Sequence, residues 1–176
     1  MASNRVSFRR ALRKLGLSIV GAGLIGIPIA SHATNNCAWL NEATASGFLG
    51  GDSVGTFTEA ASGQPAVCSF VNQTAAGTRT LRITVELDPD AHTRVGAISA
   101  SCGSDVAPLK AIGNEALVCA ADDRKLSQGE RVVSRVRDQV FTILISTTLK
   151  NDPILTREAL KTKIYSAAEQ VAGNLF

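Results

Sequence analysis

TLRITVELDP, residues 80–89, contains the clearest strand in the chain. Its apolar side chains, Leu81, Ile83, Val85 and Leu87, alternate strictly with polar ones. Such alternation is typical of an antiparallel strand that has one face on a core and the other in water. Asp88-Pro89 then predicts a helix start, because aspartate caps a helix and proline is tolerated in its first turn. The stretch therefore predicts a half-buried strand that runs directly into a helix.

The same order recurs near the C-terminus. A strand-like segment, residues 140–147, is followed by Asp152-Pro153 and by a final helix whose apolar residues recur with helical period. The five predicted strands are residues 66–73, 80–87, 116–121, 131–137 and 140–147. Residues 37–51 are predicted to contain an N-terminal helix that Asn41 caps and Gly50-Gly51 ends, and residues 50–65 and 103–114 are predicted to be loops.

The predicted fold class is α+β. We expect one antiparallel sheet of about five strands, built from two ββα-like units, with helices packed on its one apolar face and helices at both ends of the chain. An internal duplication would explain the two units. Convergence would explain them equally well, since Asp-Pro is a common way to begin a helix.

The N-terminal segment FRRALRKLGLSIVGAGLIGIPIASHA, residues 8–33, reads as an export signal. A basic region precedes an apolar run, Leu15 to Ile29, and Ser31-His32-Ala33 supplies the small side chains that a signal peptidase reads. We therefore predict a signal peptide over residues 1–33, cleaved between Ala33 and Thr34, and a single exported domain over residues 34–176. An uncleaved membrane anchor is the alternative, and Arg9-Arg10 leaves both the twin-arginine and the general secretory routes open.

Removing this segment changes the charge of the chain. The precursor has a net charge of +3, but five basic residues lie in the predicted signal, and beyond it 13 basic residues stand against 15 acidic ones, a net charge of −2. The basicity therefore belongs to targeting, and no nucleic-acid partner is expected. Once cleaved, the domain should not span a membrane and should be periplasmic or extracellular.

Four cysteines, Cys37, Cys68, Cys102 and Cys119, lie in the predicted mature domain. An even number of cysteines in an exported chain predicts disulfides. Three pairings are possible, and we expect the neighbours along the chain to pair, Cys37 with Cys68 and Cys102 with Cys119. A metal site is the alternative, but zinc sites bring cysteines in close CxxC pairs, which are absent here. We predict no metal and no cofactor.

Catalytic chemistry has few candidate residues. His92 is the one histidine of the mature domain, so a Ser-His-Asp or Cys-His mechanism would have to use it. We expect His92 to be a solvated surface side chain, with a thiol enzyme built on Cys102 and His92 as the alternative. The sequence has no Gly-x-Ser-x-Gly elbow, no calcium loop and no phosphate-binding loop. No catalytic residue is predicted.

One candidate binding surface is basic. Arg131, Arg135 and Arg137 alternate along a predicted strand, so they are expected to share one face. That face could meet an anionic glycan, lipid headgroups or an acidic protein. The alternative is a solvated sheet face whose charge discourages pairing with other strands.

Several short motifs together resemble a known group of proteins. Cys37, Leu40, Leu49 and Gly50 lead to Cys68-Ser69-Phe70, and LKAIGNEA, residues 109–116, and VRDQVFT, residues 136–142, come before a closing helix. This pattern resembles a broad group of small exported bacterial domains of unknown function, typified by actinobacterial lipoproteins. The resemblance covers nearly the whole mature domain and implies an α+β fold and an envelope location, but no reaction. The chain departs from the group in lacking a lipobox and in having the pair Cys102 and Cys119.

The leading hypothesis is a non-catalytic exported domain that binds a small molecule, an envelope polymer or a partner protein. A structural or assembly subunit of an exported complex is the alternative. A third hypothesis is a hydrolase with an unrecognised site, in which replacing His92 would abolish activity.

Overall fold

The computed structural model describes residues 36–102, 105–121 and 125–176. The predicted signal peptide and its cleavage site at Ala33 and Thr34 lie outside the described residues. In chain order the elements are α1 (Glu42–Leu49), β1 (Val54–Thr58), β2 (Ala66–Thr74), β3 (Gly77–Leu87), α2 (Ala91–Ser99), a 3-10 turn (Ala100–Cys102), β4 (Ala107–Leu109), β5 (Glu115–Ala120), β6 (Gln128–Val136), β7 (Gln139–Thr147) and α3 (Arg157–Leu175).

The seven strands form one antiparallel sheet in the order β1-β2-β3-β7-β6-β5-β4. The α+β class is confirmed, but the prediction of about five strands is wrong. The two missed strands, β1 and β4, are the two edges of the sheet and lie in segments predicted to be loops. Strand β1 is exposed at alternate positions and contains Gly55, and β4 is three residues long with Pro108 at its centre. Each of these edge strands is hydrogen-bonded to one neighbouring strand only, and its sequence shows little alternation of apolar and polar residues.

The centre of the sheet is the pairing of β3 with β7, which joins the two halves of the chain. Ile83 lies opposite Ile143, and Leu81 lies opposite Ile145, and all four side chains are fully buried. The alternation predicted for residues 80–87 is therefore confirmed over most of its length. Leu87 departs from it and is 73% exposed, because the strand continues beyond the edge of the core.

The helices cover both faces of the sheet, so the prediction that they pack on one face is wrong. Helices α1 and α3 lie on one face, where their apolar side chains join the main core. Helix α2 lies on the opposite face, where Ala91 and Val95 pack against Val133 and Val140. Adjacent residues of a strand point to opposite faces, so β6 and β7 must be apolar on both.

Helix α1 begins and ends as the sequence predicts. The Asn41 side chain accepts a hydrogen bond from the backbone N–H of Thr44 at 2.8 Å, which satisfies one of the free donors of the first turn. Gly50 ends the helix in the left-handed conformation, with φ of 72°, and a side chain there would collide with Ile154.

Two disulfides are present, and both join neighbours along the sequence. Cys37–Cys68 ties the segment before α1 to β2, and Cys102–Cys119 ties the end of the α2 region to β5. Each closes a loop of moderate length, which is typically worth about 2–4 kcal/mol of stability. Paired cysteines are typical of proteins that work in an oxidising compartment.

Asp152 does not cap α3 as the Asp-Pro pattern predicts, because the cap is Thr156. Asp152 instead forms a buried two-point ion pair with Arg79 of β3, with N–O distances of 2.8 and 3.0 Å. Its carboxylate also accepts a bond from the Thr147 hydroxyl at 2.8 Å and bonds from the backbone N–H groups of Ile154 and Leu155. Asp152 is therefore a buried carboxylate that accepts hydrogen bonds at both of its oxygens.

The Nη1 group of Arg79, which does not contact Asp152, donates to groups of α1 and β2. It donates to the Leu49 carbonyl at the end of α1, at 3.2 Å, and lies near the Asn72 amide oxygen of β2, at 3.5 Å. Burial alone would raise the pKa of Asp152, but the bonds from Arg79, the Ile154 backbone and Thr147 outweigh burial and hold that pKa well below its usual range.

We expect Asp152→Asn to destabilise the protein by about 3 kcal/mol or more, because it leaves the Arg79 charge buried without its counter-charge. Urea unfolding at pH 7 measures this. Glu169→Gln, on the exposed side of α3, is the matched control and should change the midpoint little. Equal midpoints for the two variants would contradict the role given to this ion pair.

The same ion pair predicts an acid-labile contribution to stability. A carboxylate whose pKa is lowered on folding stabilises the protein above its unfolded pKa of about 4, and this contribution is lost as the pH falls further. The wild-type free energy of unfolding should therefore drop on acidification below about pH 4, and Asp152→Asn should reduce this drop. Parallel pH profiles for the two proteins would contradict the assignment.

Candidate binding cleft

A cleft of about 600 Å³ lies on the α3 side of the sheet, between α3 and strands β4, β5 and β6. It exists because α3 packs over β6 and β7 and α1 lies over β2 and β3, so the outer strands extend past the helices. A volume of this size is typical of small-molecule sites. We call this space the α3 cleft, and its principal lining side chains are Asp105, Ala107, Leu109, Val118, Glu130, Arg157, Leu160, Lys161, Ile164 and Tyr165.

The walls of the α3 cleft combine apolar and polar groups in similar measure. Leu160 and Ile164 come from α3, and Leu109 and Val118 come from β4 and β5. Tyr165 adds an aromatic ring whose hydroxyl donates to the Lys110 carbonyl at 3.3 Å, so it links α3 to the end of β4. These side chains offer a ligand apolar contact between polar groups.

Glu130 is the buried carboxylate of the α3 cleft. It lies on β6 at a position that points to the α3 side, between Ala120 of β5 and Ile145 of β7 in the register. Only 8% of the residue is exposed, yet its side chain forms no hydrogen bond or ion pair with any residue that the structure describes. No fully buried side-chain oxygen among the described residues lacks a partner, so the Glu130 oxygens keep contact with solvent in the cleft. The partial loss of water around an unpaired carboxylate still carries a cost to folding.

Burial raises the pKa of Glu130 above its ordinary value. The positive charges of Lys161 and Arg157 oppose this shift but do not cancel it. Raised carboxyl pKa values in clefts are typical of functional sites, although structural carboxyls also show them.

Arg157 and Lys161 stand at the mouth of the cleft. They are four residues apart in the first turns of α3, so they lie on the same side of the helix, and both are exposed. The positive end of the α3 dipole adds to their potential. Asp105, also exposed, lies on the opposite rim, so the described lining has two acidic and two basic side chains.

The predicted basic face lies on the other side of the sheet, and it is not a row of three. Arg131 and Arg135 share the α2 side of β6, but Arg137 lies beyond the end of the strand, in the turn to β7, with φ of 57°. The turn is held there because the Asn114 amide oxygen accepts a bond from the Arg137 backbone N–H at 2.7 Å. The prediction that the three arginines share a strand face is therefore wrong for Arg137.

The two remaining arginines of that face have partners. Arg131 donates to the Ser101 hydroxyl at 3.3 Å, and Arg135 pairs with Glu115 at 3.2 Å. Glu115 also bonds to the His92 ring at 2.7 Å. Hydrogen bonds from His92 and Arg135 lower the pKa of Glu115 despite its partial burial. This arrangement is typical of a surface ion-pair cluster.

His92 is 75% exposed at its side chain, and its Nδ1 atom contacts the Glu115 carboxylate. No serine, threonine or cysteine among the described residues is hydrogen-bonded to the ring. Cys102 is held in its disulfide and has no free thiol. The structure therefore does not bring together, within residues 36–102, 105–121 and 125–176, the groups that a Cys102 and His92 mechanism would use.

The sequence analysis does not predict the residues of the α3 cleft as a site, although the position of Glu130 next to a predicted strand is one signal. The predicted strand began at Arg131, one residue after Glu130. Extending the alternation of Val132 and Val136 backward places Glu130 on the core side, where a carboxylate is unusual. Arg157 and Lys161 carry no comparable signal, because exposed basic residues are common on any helix.

Within the described ranges no cluster of three or more metal-ligating side chains occurs, and no described helix is long and apolar enough to cross a membrane. No protein-family model, curated protein or solved structure matches the chain. The resemblance to small exported bacterial domains therefore stays a prediction.

We expect Glu130→Gln to stabilise the unliganded protein at neutral pH by about 1 kcal/mol, the usual size of a stabilising change at a functional position. An acid whose pKa is raised on folding costs stability above its folded pKa, and this cost disappears as the pH falls below its unfolded pKa. Urea midpoints of the variant and wild type should therefore differ at pH 7.5 and converge near pH 4.

Glu169→Gln is the control, because it removes an exposed carboxylate from α3, away from the cleft. Its urea midpoint should equal that of the wild type at both pH values. A Glu130→Gln protein less stable than wild type at pH 7.5 would mean that the carboxylate has a stabilising partner.

Proposed function

We propose that the protein is a non-catalytic exported domain, periplasmic or extracellular, that binds a small organic molecule in the α3 cleft. The proposal chooses the small molecule among the ligands that the sequence leaves open. The α3 cleft favours a small molecule because it is bounded by a helix, three strands and the Tyr165 bridge, and its volume is that of a small-molecule site.

The observation that carries the proposal is Glu130. The residue is 8% exposed, and the carboxylate oxygens keep contact with solvent in the cleft, since no fully buried side-chain oxygen among the described residues lacks a hydrogen-bond partner. A carboxylate that is largely removed from water and has no protein partner costs more than an apolar replacement. The same position would accept glutamine or an apolar residue within the β6 alternation. A side chain that costs folding energy and faces a cleft is typical of a functional position.

Two features support a binding role over catalysis. The lone histidine of the domain lies on the opposite side of the sheet and contacts Glu115 rather than a nucleophile. The described lining of the cleft offers one buried carboxyl group, one exposed carboxyl group and two exposed basic groups, which suit recognition of charge. The two disulfides and the signal-like segment at residues 1–33 support the exported location.

Blocking the cleft tests the proposal. Ala107 is exposed on edge strand β4 and its side chain lines the cleft, so Ala107→Trp should fill the space with an indole while leaving the fold intact. A fragment library of neutral, cationic and anionic compounds, screened by ligand-observed NMR, should give hits with the wild-type protein that weaken at least tenfold with Ala107→Trp.

Val54→Trp is the matched control, because it places the same side chain at an exposed position on the other edge strand, β1. It should keep the hits, and both variants should keep the wild-type melting temperature within a few degrees. Hits that bind Ala107→Trp as well as wild type, or a library without hits, would overturn the proposed function.

A further inference from the structure

We propose that the ligand of the α3 cleft is a zwitterion of about the size of a short peptide, with its amine on Glu130 and its carboxylate between Arg157 and Lys161. This inference rests on the proposed function and adds the chemical class of the ligand. Its basis is that the charged groups of the cleft are separated by depth, with Glu130 inside and Arg157, Lys161 and Asp105 outside, so the outer groups are mainly positive.

The inner end of the cleft is suited to a cation. Glu130 is 8% exposed, lines the cleft and forms no hydrogen bond or ion pair with a described residue. An ammonium group can donate up to three hydrogen bonds and brings the opposite charge, so it replaces water at the carboxylate and also offsets its desolvation. A neutral hydroxyl brings hydrogen bonds but no charge.

The outer end is suited to an anion. The side chains of Arg157 and Lys161 form no ion pair in the described part of the chain, although both extend from the same side of α3. Their spacing of four residues lets both reach one carboxylate. The N-terminal end of α3 adds a favourable potential for negative charge at this position.

The combination disfavours simpler ligands. A plain cation at Glu130 lies within the field of Arg157 and Lys161, which repel it, and a plain anion that binds these two side chains approaches Glu130 and Asp105. A zwitterion oriented with its amine inward satisfies both ends, and the reverse orientation places like charges together.

The volume and the apolar lining of the cleft set the size of the ligand. Leu160, Ile164 and Leu109 line the cleft, and its volume of about 600 Å³ suits a ligand larger than one amino acid. Leu109 lies level with Ala116, four residues along β5 from the position that faces Glu130, so the apolar lining extends beyond the charged groups. A short peptide with small apolar side chains places its two charged termini at Glu130 and at the two basic side chains, and its side chains against these walls.

Calorimetric titration of the purified protein at pH 7 with four forms of trialanine tests this inference. The forms are the free peptide, the N-acetylated peptide, the C-terminal amide and the peptide capped at both ends. We expect the free peptide to bind, each single cap to weaken binding at least about tenfold, and the double cap to weaken it further.

Variants assign each terminus to its site. Glu130→Gln should weaken the free peptide at least about tenfold and should no longer distinguish it from the acetylated form. The double variant Arg157→Gln with Lys161→Gln should no longer distinguish the free peptide from its amide. Lys150→Gln with Glu169→Gln, which removes one exposed charge of each sign away from the cleft, is the control and should bind all four forms as wild type does.

Failure of this inference is separable from failure of the proposed function. If fragments bind the cleft in the Ala107→Trp test but free trialanine does not bind, or binds no more tightly than its doubly capped form, the cleft takes another class of ligand and the zwitterion proposal is wrong. If caps weaken binding but Glu130→Gln and the double variant bind as wild type does, the zwitterion binds elsewhere and the assignment of the α3 cleft is wrong.

Discussion

The buried ion pair between Arg79 and Asp152 is the constraint on which the rest of the structure depends. It joins β3 to the segment after β7, and through Arg79 it reaches the last carbonyl of α1. Asp152 also fixes the backbone N–H groups of Ile154 and Leu155, just before the Thr156 cap of α3. The position at which α3 begins, and therefore the position of Arg157 at the mouth of the cleft, follows from a charge held on the other half of the sheet.

The cleft is a consequence of how unevenly the helices cover the sheet. The central strands are enclosed by α3 on one face and α2 on the other, and a side-chain amide of β6, Gln128, donates to the Leu155 carbonyl and anchors the start of α3 to the sheet. The outer strands β4 and β5 extend beyond this packing on the α3 side. Stability is concentrated where both faces are covered, and the proposed binding cleft lies where one face is open.

The sequence predicts those parts of the fold that local pattern controls. The alternation of residues 80–87, the Asn41 cap and the glycine stop of α1 each depend on neighbouring residues, and each is found in the structure except at Leu87, where the alternation ends. The edge strands depend on pairing with a neighbour and have no pattern of their own. Asp152 has the local appearance of a helix cap, but its partner Arg79 is 73 residues away, a separation that no local pattern reports.

The candidate site was less predictable than the fold. The place of Glu130 in the β6 alternation predicts a buried carboxylate. Arg157 and Lys161 are recognised as cleft residues only once the structure places strands β4, β5 and β6 opposite α3. For the arginines, the sequence predicts a binding surface that the structure does not contain in that form. Their regular spacing predicts one continuous face, but β6 ends at Val136, before Arg137. Arg131 and Arg135 have hydrogen-bond or ion-pair partners.

The place of β7 in the sheet also governs how the chain can fold. Strand β3 pairs with β2 on one side and with β7 on the other. Because β7 follows α2 and three further strands in sequence, the second side of β3 stays unpaired until most of the chain is present. A chain that ends before β7 therefore lacks both the centre of the sheet and Asp152. Loop closure over such a separation precedes most of the stabilising contacts, so folding should be cooperative, late in synthesis and slow relative to a helical domain of the same length.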